Sequence, residues 1–132
     1  MKVLILILIA LFVYANDYAV VAYKEVISVS KKELKAIFLK KQRYIDGKVA
    51  VPVNLSINDS VRASFEKNIL NMSFLKLKEH WTKQHYLGTR VPISLQSQKS
   101  VLTFIEKIEG AIGYVDLNST DKNSNIIYVW SD

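Results

Sequence analysis

The chain contains no cysteine among its 132 residues, and it has only four glycines, two prolines and two histidines. Without thiols it can form no disulfide framework, no thiolate nucleophile, no cysteine-ligated metal site and no lipidated cysteine. Neither glycine-rich phosphate-loop pattern, GxxxxGK[ST] or GxGxxG, occurs in it. Stability must therefore come from an apolar core, and any anion must be held by another device.

The few residues suited to catalysis or metal binding lack the spacing that such chemistry requires. His80 and His85 are five positions apart, whereas a helical zinc pair needs a spacing of four and a third ligand. The serines stand at predicted helix caps rather than in a strained nucleophile elbow, and Asp116 and Asp121 fall in a polar loop where we expect them to be solvated. The sequence thus predicts no metal, no cofactor and no enzymatic activity.

The first fifteen residues have the pattern of a secretory signal peptide. Lys2 precedes an apolar run from Val3 to Val13, which is shorter than the ~20 residues of a membrane-spanning helix, and small residues precede a cleavage point after Ala15. We expect residues 1–15 to be the signal peptide and residues 16–132 to be one periplasmic or secreted domain that does not span the membrane. Cleavage after Ala22, and an uncleaved anchor or core strand, are the alternatives.

The net charge of +6 favours acidic partners, and it remains +5 after Lys2 is removed with the leader. The lysines are scattered in small groups, as on solvated helix faces. No basic face with interleaved aromatic residues is visible, so we expect no nucleic-acid binding. Adhesion to acidic envelope polymers is a third, weaker hypothesis.

Strand and helix patterns alternate along the chain. Residues 18–29 are rich in valine and isoleucine, which predicts a first strand, and Ser30 with Glu33 forms a capping box for a helix over residues 31–39. An Asp-Gly turn at 46–47 precedes a strand over residues 49–53, in which Pro52 indicates a sheet edge or a strand end. The further predictions are helices from about residue 60 to 70, 73 to 87 and 98 to 109, and strands over 93–95, 110–115 and 126–130.

The helix predicted over residues 73–87 should present an inner stripe of Phe74, Leu77, Lys78 and Trp81. The alternation of strands with helices of about ten residues predicts an α/β layered domain. In the segment GAIGYV, two of the four glycines bracket a short apolar run, which indicates a tight turn entering a buried strand at Gly110.

The remaining anion-binding device is the start of the second helix. Backbone N–H groups and the helix dipole attract anions at such a terminus, and Ser60, Val61, Arg62 and Ser64 lie near it. Asp59 would repel an anion at the same place, and Arg62 could pair with Asp59 instead. An ordinary capped helix is the alternative interpretation.

Four segments in this order resemble the phosphate-binding proteins of ABC transporters. They are ELKAIFLKKQRYIDGKVAVPVN from Glu33, DSVRASFEKNILNM from Asp59, KEHWTKQHYLG from Lys78 and GAIGYV from Gly110. The resemblance implies an α/β fold with a single three-layer-type lobe, similar to the second lobe of a type II periplasmic binding protein. In that family, two lobes hold phosphate with helix-terminal N–H groups, hydroxyls and an arginine, which points to the region of Asp59, Ser60, Val61 and Arg62 here.

The chain also departs from the family pattern. Asp59 to Val61 replace a Ser-Gly-Thr loop, Lys40 replaces the glycine of an IFxGK-like turn, and the chain is too short to supply a second lobe. Two functions therefore stay open: an exported solute-binding-like domain that binds phosphate or a related anion for an ABC transport system, and a periplasmic interaction or sensory accessory module that has lost its ligand. The expected partners are a phosphate-like anion and an ABC transporter or envelope sensor protein.

Overall fold

The computed structural model describes residues 16–132. The signal peptide prediction for residues 1–15 lies outside the described residues. The strands are β1 (Asp17–Ala22), β2 (Tyr44–Ile45), β3 (Lys48–Val49), β4 (Val51–Leu55), β5 (Ile93–Leu95), β6 (Ala111–Asp116) and β7 (Ile126–Ser131). The α-helices are α1 (Lys31–Phe38), α2 (Ser60–Phe65), α3 (Phe74–Tyr86) and α4 (Gln98–Lys107).

Five strands form one mixed sheet in the order β5-β4-β6-β1-β7. β4 runs parallel to β5 and β6, and β1 runs antiparallel to β6 and β7. β2 and β3 form a separate hairpin across the Asp46-Gly47 turn, where both residues have positive φ. The predicted turn is confirmed.

Helices cover both faces of the sheet, which confirms the three-layer α/β prediction. Tyr114 and Gly113 are neighbours in β6, so the Tyr114 side chain points to one face of the sheet and the side-chain position of Gly113, which carries only hydrogen, faces the other. Phe65 of α2 stacks on Tyr114 with ring centroids 4.1 Å apart. On the opposite face, Val101 and Ile105 of α4 pack against Gly113.

The aromatic side of the core continues from that pair. Phe38 of α1 meets the edge of Phe65 at 4.6 Å, and Trp130 of β7 meets it at 5.7 Å. Tyr18 of β1 stacks on Trp130 at 5.0 Å. Side chains far apart in sequence thus form one buried aromatic group that joins α1 and α2 to three strands of the sheet.

The capping signals place the helix starts correctly. The capping box of Ser30 and Glu33 is formed, Ser73 accepts from the N–H of Lys76, and Ser97 accepts from the N–H of Ser100. α2 continues as a π-helical turn over Glu66–Leu70 and ends at Asn71, which has a left-handed conformation. The predicted end of this helix near residue 70 is confirmed.

The predicted end of the first strand and the predicted burial of two residues of α3 need correction. β1 ends at Ala22 instead of reaching residue 29, because the chain turns there and the N–H of Val26 donates to the carbonyl of Tyr23. Phe74 is exposed, as is Lys78, because the inner face of α3 is set by Leu77 and Trp81.

Pro52 is at a strand end rather than at a sheet edge. It is the second residue of β4, which lies between β5 and β6. Pairing with β5 begins only at Val53, so the missing N–H of the proline removes no bond to that neighbour.

Candidate functional site

The predicted anion residues lie at the edge of the sheet where the parallel strands end. β4 and β6 run in the same direction, so Leu55 and Asp116 end at this edge, which we call the carboxyl edge. α2 begins there after a short loop, and β7 also ends there because both it and β6 are antiparallel to β1. In open α/β sheets, ligands bind in crevices at such an edge.

The start of α2 is occupied by a side chain of the protein itself. Asp59 is the N-cap, and its Oδ1 accepts a hydrogen bond from the N–H of Val61 at 2.8 Å. The Val61 side chain is buried, so the backbone N–H is the group that it could offer to an anion. Asp59 therefore places a negative charge on the donor that a bound anion would use.

Arg62 is held by the fold, close to the exposed Ser60. Its Nη1 donates to the carbonyl oxygen of Leu55 at 2.9 Å and to Oγ of Ser94 at 3.4 Å. Its Nε lies 3.6 Å from a carboxylate oxygen of Glu66, one helical turn away. The guanidinium thus joins β4 and β5 to α2. Its ionic partner is Glu66 and not Asp59, which was the alternative raised by the sequence.

Ser64 does bind an anion, but that anion belongs to the same chain. Its Oγ donates to Oδ1 of Asp132 at 2.7 Å and accepts from Nε1 of Trp130 at 3.1 Å. Asn68 donates to the same Oδ1, and the hydroxyl of Tyr18 donates to Oδ2, each at 2.7 Å. These five residues are called the Asp132 cluster below.

The cluster donates several hydrogen bonds to one carboxylate. Those from Ser64 and Tyr18 are the largest reasons that the pKa of Asp132 lies below its ordinary value. Burial, followed by the bond to Asp132, raises the pKa of Tyr18. The cluster therefore keeps Asp132 ionised and Tyr18 protonated at neutral pH.

Four residues were predicted to share one anion site, but they do not. Ser60, the Val61 N–H and Arg62 are at the start of α2 near β5, whereas Ser64 takes part in the Asp132 cluster near β1 and β7. Residues two apart on a helix are about 200° apart around its axis, which explains the separation of Arg62 from Ser64.

Sequence reasoning missed two polar contacts in this region. The hydroxyl of Tyr114 donates to Oδ1 of Asn54 at 2.9 Å and accepts from the N–H of Leu55 at 3.3 Å. Asp132 reaches Ser64 across 68 positions of sequence. The contacting residues are far apart in the chain, so no local spacing pattern could have indicated either contact.

His80 is held by contacts within the fold. The Nε2 of His80 donates to the carbonyl of Leu39 at 2.9 Å, and its ring meets the edge of Trp81. Within residues 16–132, no group of three potential ligands is arranged to hold a metal ion. The helices in this part of the chain are all too short or too polar to cross a membrane.

No protein-family model and no curated protein matches the chain. Solved structures do match its fold. A protein described as a phosphate ABC transporter substrate-binding protein, from Clostridium perfringens and with bound phosphate, superimposes with a TM-score of 0.68 and 17% identity. An ABC-type phosphate transport receptor from Vibrio cholerae gives 0.64 and 18%, and PstS from Borrelia burgdorferi gives 0.65 and 16%.

The match covers 86% of this chain in all three cases, but only 45%, 46% and 47% of the respective neighbours. The chain thus has the fold of a single lobe of a phosphate-binding protein and spans about half of the length of these proteins. This confirms the fold expected from the resemblance.

Proposed function

We propose that the chain is an exported, non-enzymatic domain of the solute-binding-protein type that acts in the periplasm through contact with another protein. In this proposal it has lost the tight anion binding of its two-lobed structural neighbours. The partner class is a component of an ABC transporter or an envelope sensor. The signal-peptide pattern of residues 1–15 supports export, and the periplasm is the location that we propose.

The observation that carries the proposal is the bond from the Val61 N–H to the Asp59 carboxylate, 2.8 Å long. A bound phosphate would have to displace this carboxylate or lie beside it. Two like charges 4 Å apart near a protein surface repel by about 4 kcal/mol at an effective dielectric constant of 20. That repulsion opposes anion binding at the only donor that Val61 can contribute.

Two of the other three predicted ligands are also engaged within the chain. Arg62 binds the Leu55 carbonyl, and Ser64 donates to Asp132. Affinity for a small anion depends on many convergent donors in a closed site, which one lobe with these contacts does not supply.

Calorimetric titration of the protein with phosphate, sulfate and pyrophosphate tests the proposal. We expect neither binding heat nor thermal stabilisation at millimolar concentrations of any of the three anions. Binding in this range that Arg62→Ala abolishes would overturn the loss of anion binding.

Weak anion binding at Ser60 and Arg62 is the second candidate. It is favoured by the net charge of +6 and by Nε of Arg62, a buried donor without a hydrogen-bond acceptor among residues 16–132. This candidate predicts that Arg62→Ala weakens phosphate binding and that Asp59→Ser strengthens it, since serine keeps the helix cap but removes the charge. Equal affinity in both variants and in the unaltered protein would place the bound anion elsewhere.

A further inference from the structure

We propose that the free edge of β5 binds an extended, acidic segment of a partner protein by adding it to the sheet as a sixth strand. The inference rests on the proposed function as a protein-contact domain, and it names the surface and the chemistry of the partner. β5 is the last strand of the five-stranded sheet, and among the described strands it pairs with β4 alone. Its other side offers backbone groups for pairing with a further strand.

Two clefts border this strand, one on each side of the sheet edge. The α3-side cleft, of about 670 Å³, lies between the end of α3 and β5, and its walls include Trp81 and Val91. The α4-side cleft, of about 440 Å³, has Leu95 and Phe104 in its walls. Successive side chains of a strand point to opposite faces, so an added strand would direct alternate side chains into the two clefts.

Two large apolar residues beside the free edge of β5 are exposed. Val91 is 56% and Ile93 46% exposed, although both are large aliphatic residues. Such residues along an unpaired strand edge create a risk of aggregation unless charges or a partner protect them. A bound strand would bury them, which accounts for their exposure in the free protein.

The charges around the clefts select an acidic partner. Arg90 lies at the α3-side cleft, and Lys99 and Lys107 lie at the α4-side cleft. No Asp or Glu is among the residues that line either cleft, all of which belong to the described part of the chain. Because like charges repel and opposite charges steer association, a segment with carboxylates beside its apolar side chains fits this edge.

The free backbone edge of β5 favours an acidic peptide over other kinds of anion. Nucleic acids and lipid headgroups supply negative charge, but they cannot continue the backbone ladder of β5. A peptide supplies both the charge and the main-chain groups, while its alternate apolar side chains enter the clefts. The combination therefore favours an acidic polypeptide.

Selection of a random decapeptide library against the full chain tests this proposal. We expect enriched peptides to alternate apolar with other residues and to be acidic. In fluorescence polarisation with a synthetic selected peptide, Arg90→Glu and Lys99→Glu should each weaken binding about two- to fivefold, as expected for exposed charges. Lys31→Glu, an equally exposed change on α1 away from both clefts, is the matched control and should leave the affinity unchanged.

N-methylated versions of the selected peptide test strand addition itself. Methylation of alternate amides on the edge that pairs with β5 should abolish binding, whereas methylation of the other set should not. Equal loss from both sets, unchanged binding by both, or absence of acidic enrichment would overturn the proposal. Dimerisation abolished by Arg90→Glu would instead identify a second copy as the occupant and would also overturn it. None of these peptide experiments depends on phosphate binding. A negative result with peptides would therefore overturn strand addition at β5 without deciding whether the protein binds phosphate.

Discussion

Oγ of Ser64 lies 2.7 Å from Oδ1 of Asp132 and donates a hydrogen bond to it, which joins α2 to the residue that follows β7. The same hydroxyl accepts from Nε1 of Trp130, so it connects a buried indole to a carboxylate at the surface. A serine that could be interpreted as a ligand for an external anion is therefore saturated by groups of its own chain.

The first prediction concerns the pH dependence of this contact. Hydrogen bonds from Ser64 and Tyr18 lower the pKa of Asp132 below its unfolded value of about 3.9. A carboxylate with a lowered folded-state pKa stabilises the protein above the unfolded pKa, and this contribution disappears as the pH falls through the folded-state value. Asp132→Asn should therefore lower the urea midpoint at pH 7, and the difference from the unaltered protein should shrink as the pH falls below about 4.

Glu106→Gln provides the control, because Glu106 is an exposed carboxylate on α4 outside the Asp132 cluster. Its urea midpoint should follow that of the unaltered protein across the whole range. A constant deficit of Asp132→Asn at every pH would contradict the assigned role of the ionised carboxylate.

The second prediction ranks three of the glycines by the stability lost when each is replaced by alanine. Gly110 has φ of +81°, and a Cβ there would lie 2.1 Å from the carbonyl oxygen of Val49. Gly110→Ala combines this backbone collision with conformational strain, so we expect a loss of more than about 3 kcal/mol of stability. Gly47→Ala has the same sign of φ but nothing within 4 Å, and it should cost about 1 kcal/mol.

Gly113→Ala should fall between these two variants. Its Cβ would meet Cγ1 of Val101 at 2.8 Å and Cδ1 of Ile105 at 3.0 Å, which are side-chain atoms of α4. Overpacking of this kind costs about 1–3 kcal/mol. Adding Ile105→Val removes the Cδ1 contact, so Gly113→Ala should destabilise the protein less in that background than in the unaltered protein. Chemical denaturation of all the variants measures the order of destabilisation. Equal losses of stability for Gly47→Ala and Gly110→Ala would contradict the predicted order.

Local chemistry explains how far the sequence could predict this fold. The Ser30 cap, the Asp-Gly turn and the entry at Gly110 depend on neighbouring residues, and each is formed as expected. Lys40 shows the limit of such signals. It adopts a left-handed φ of 62° after α1, at the position where the family pattern has glycine. Nothing in its own side chain favours that conformation.

The site was harder to predict than the fold, because its contacts connect distant parts of the chain. The helix prediction correctly placed Ser60 and Arg62 at the start of α2. The hydrogen bond from Ser64 to Asp132, in contrast, depends on how β7 ends beside that helix. The bond of Arg62 to Leu55 depends on the way α2 returns over β4. The contact of Ser64 with Asp132 has no periodic or short-range signature in the sequence.

The third prediction tests the buried hydroxyl of Tyr114. Tyr114→Phe keeps the stacking on Phe65 but leaves Oδ1 of Asn54 and the N–H of Leu55 without this partner. We expect a loss of about 1–3 kcal/mol in the free energy of unfolding. Tyr86→Phe, at a tyrosine that is 84% exposed, should have almost no effect in the same urea denaturation. A neutral Tyr114→Phe would show that the hydroxyl contributes little.

The last prediction separates the two cleavage points proposed for the predicted signal peptide, after Ala15 and after Ala22. β1 lies between β6 and β7 and pairs with both, and its residues Ala19 and Val20 are fully buried. Cleavage after Ala22 would remove the whole strand, leave β7 without its neighbour in the sheet and expose the centre of the core. We therefore expect the exported protein to begin at Asn16, so that mass spectrometry of a periplasmic extract should give the mass of residues 16–132. A chain that begins at Tyr23 should show no cooperative thermal unfolding, whereas one that begins at Asn16 should. An exported protein that begins at Tyr23 and unfolds cooperatively would contradict the role of β1 as an indispensable strand.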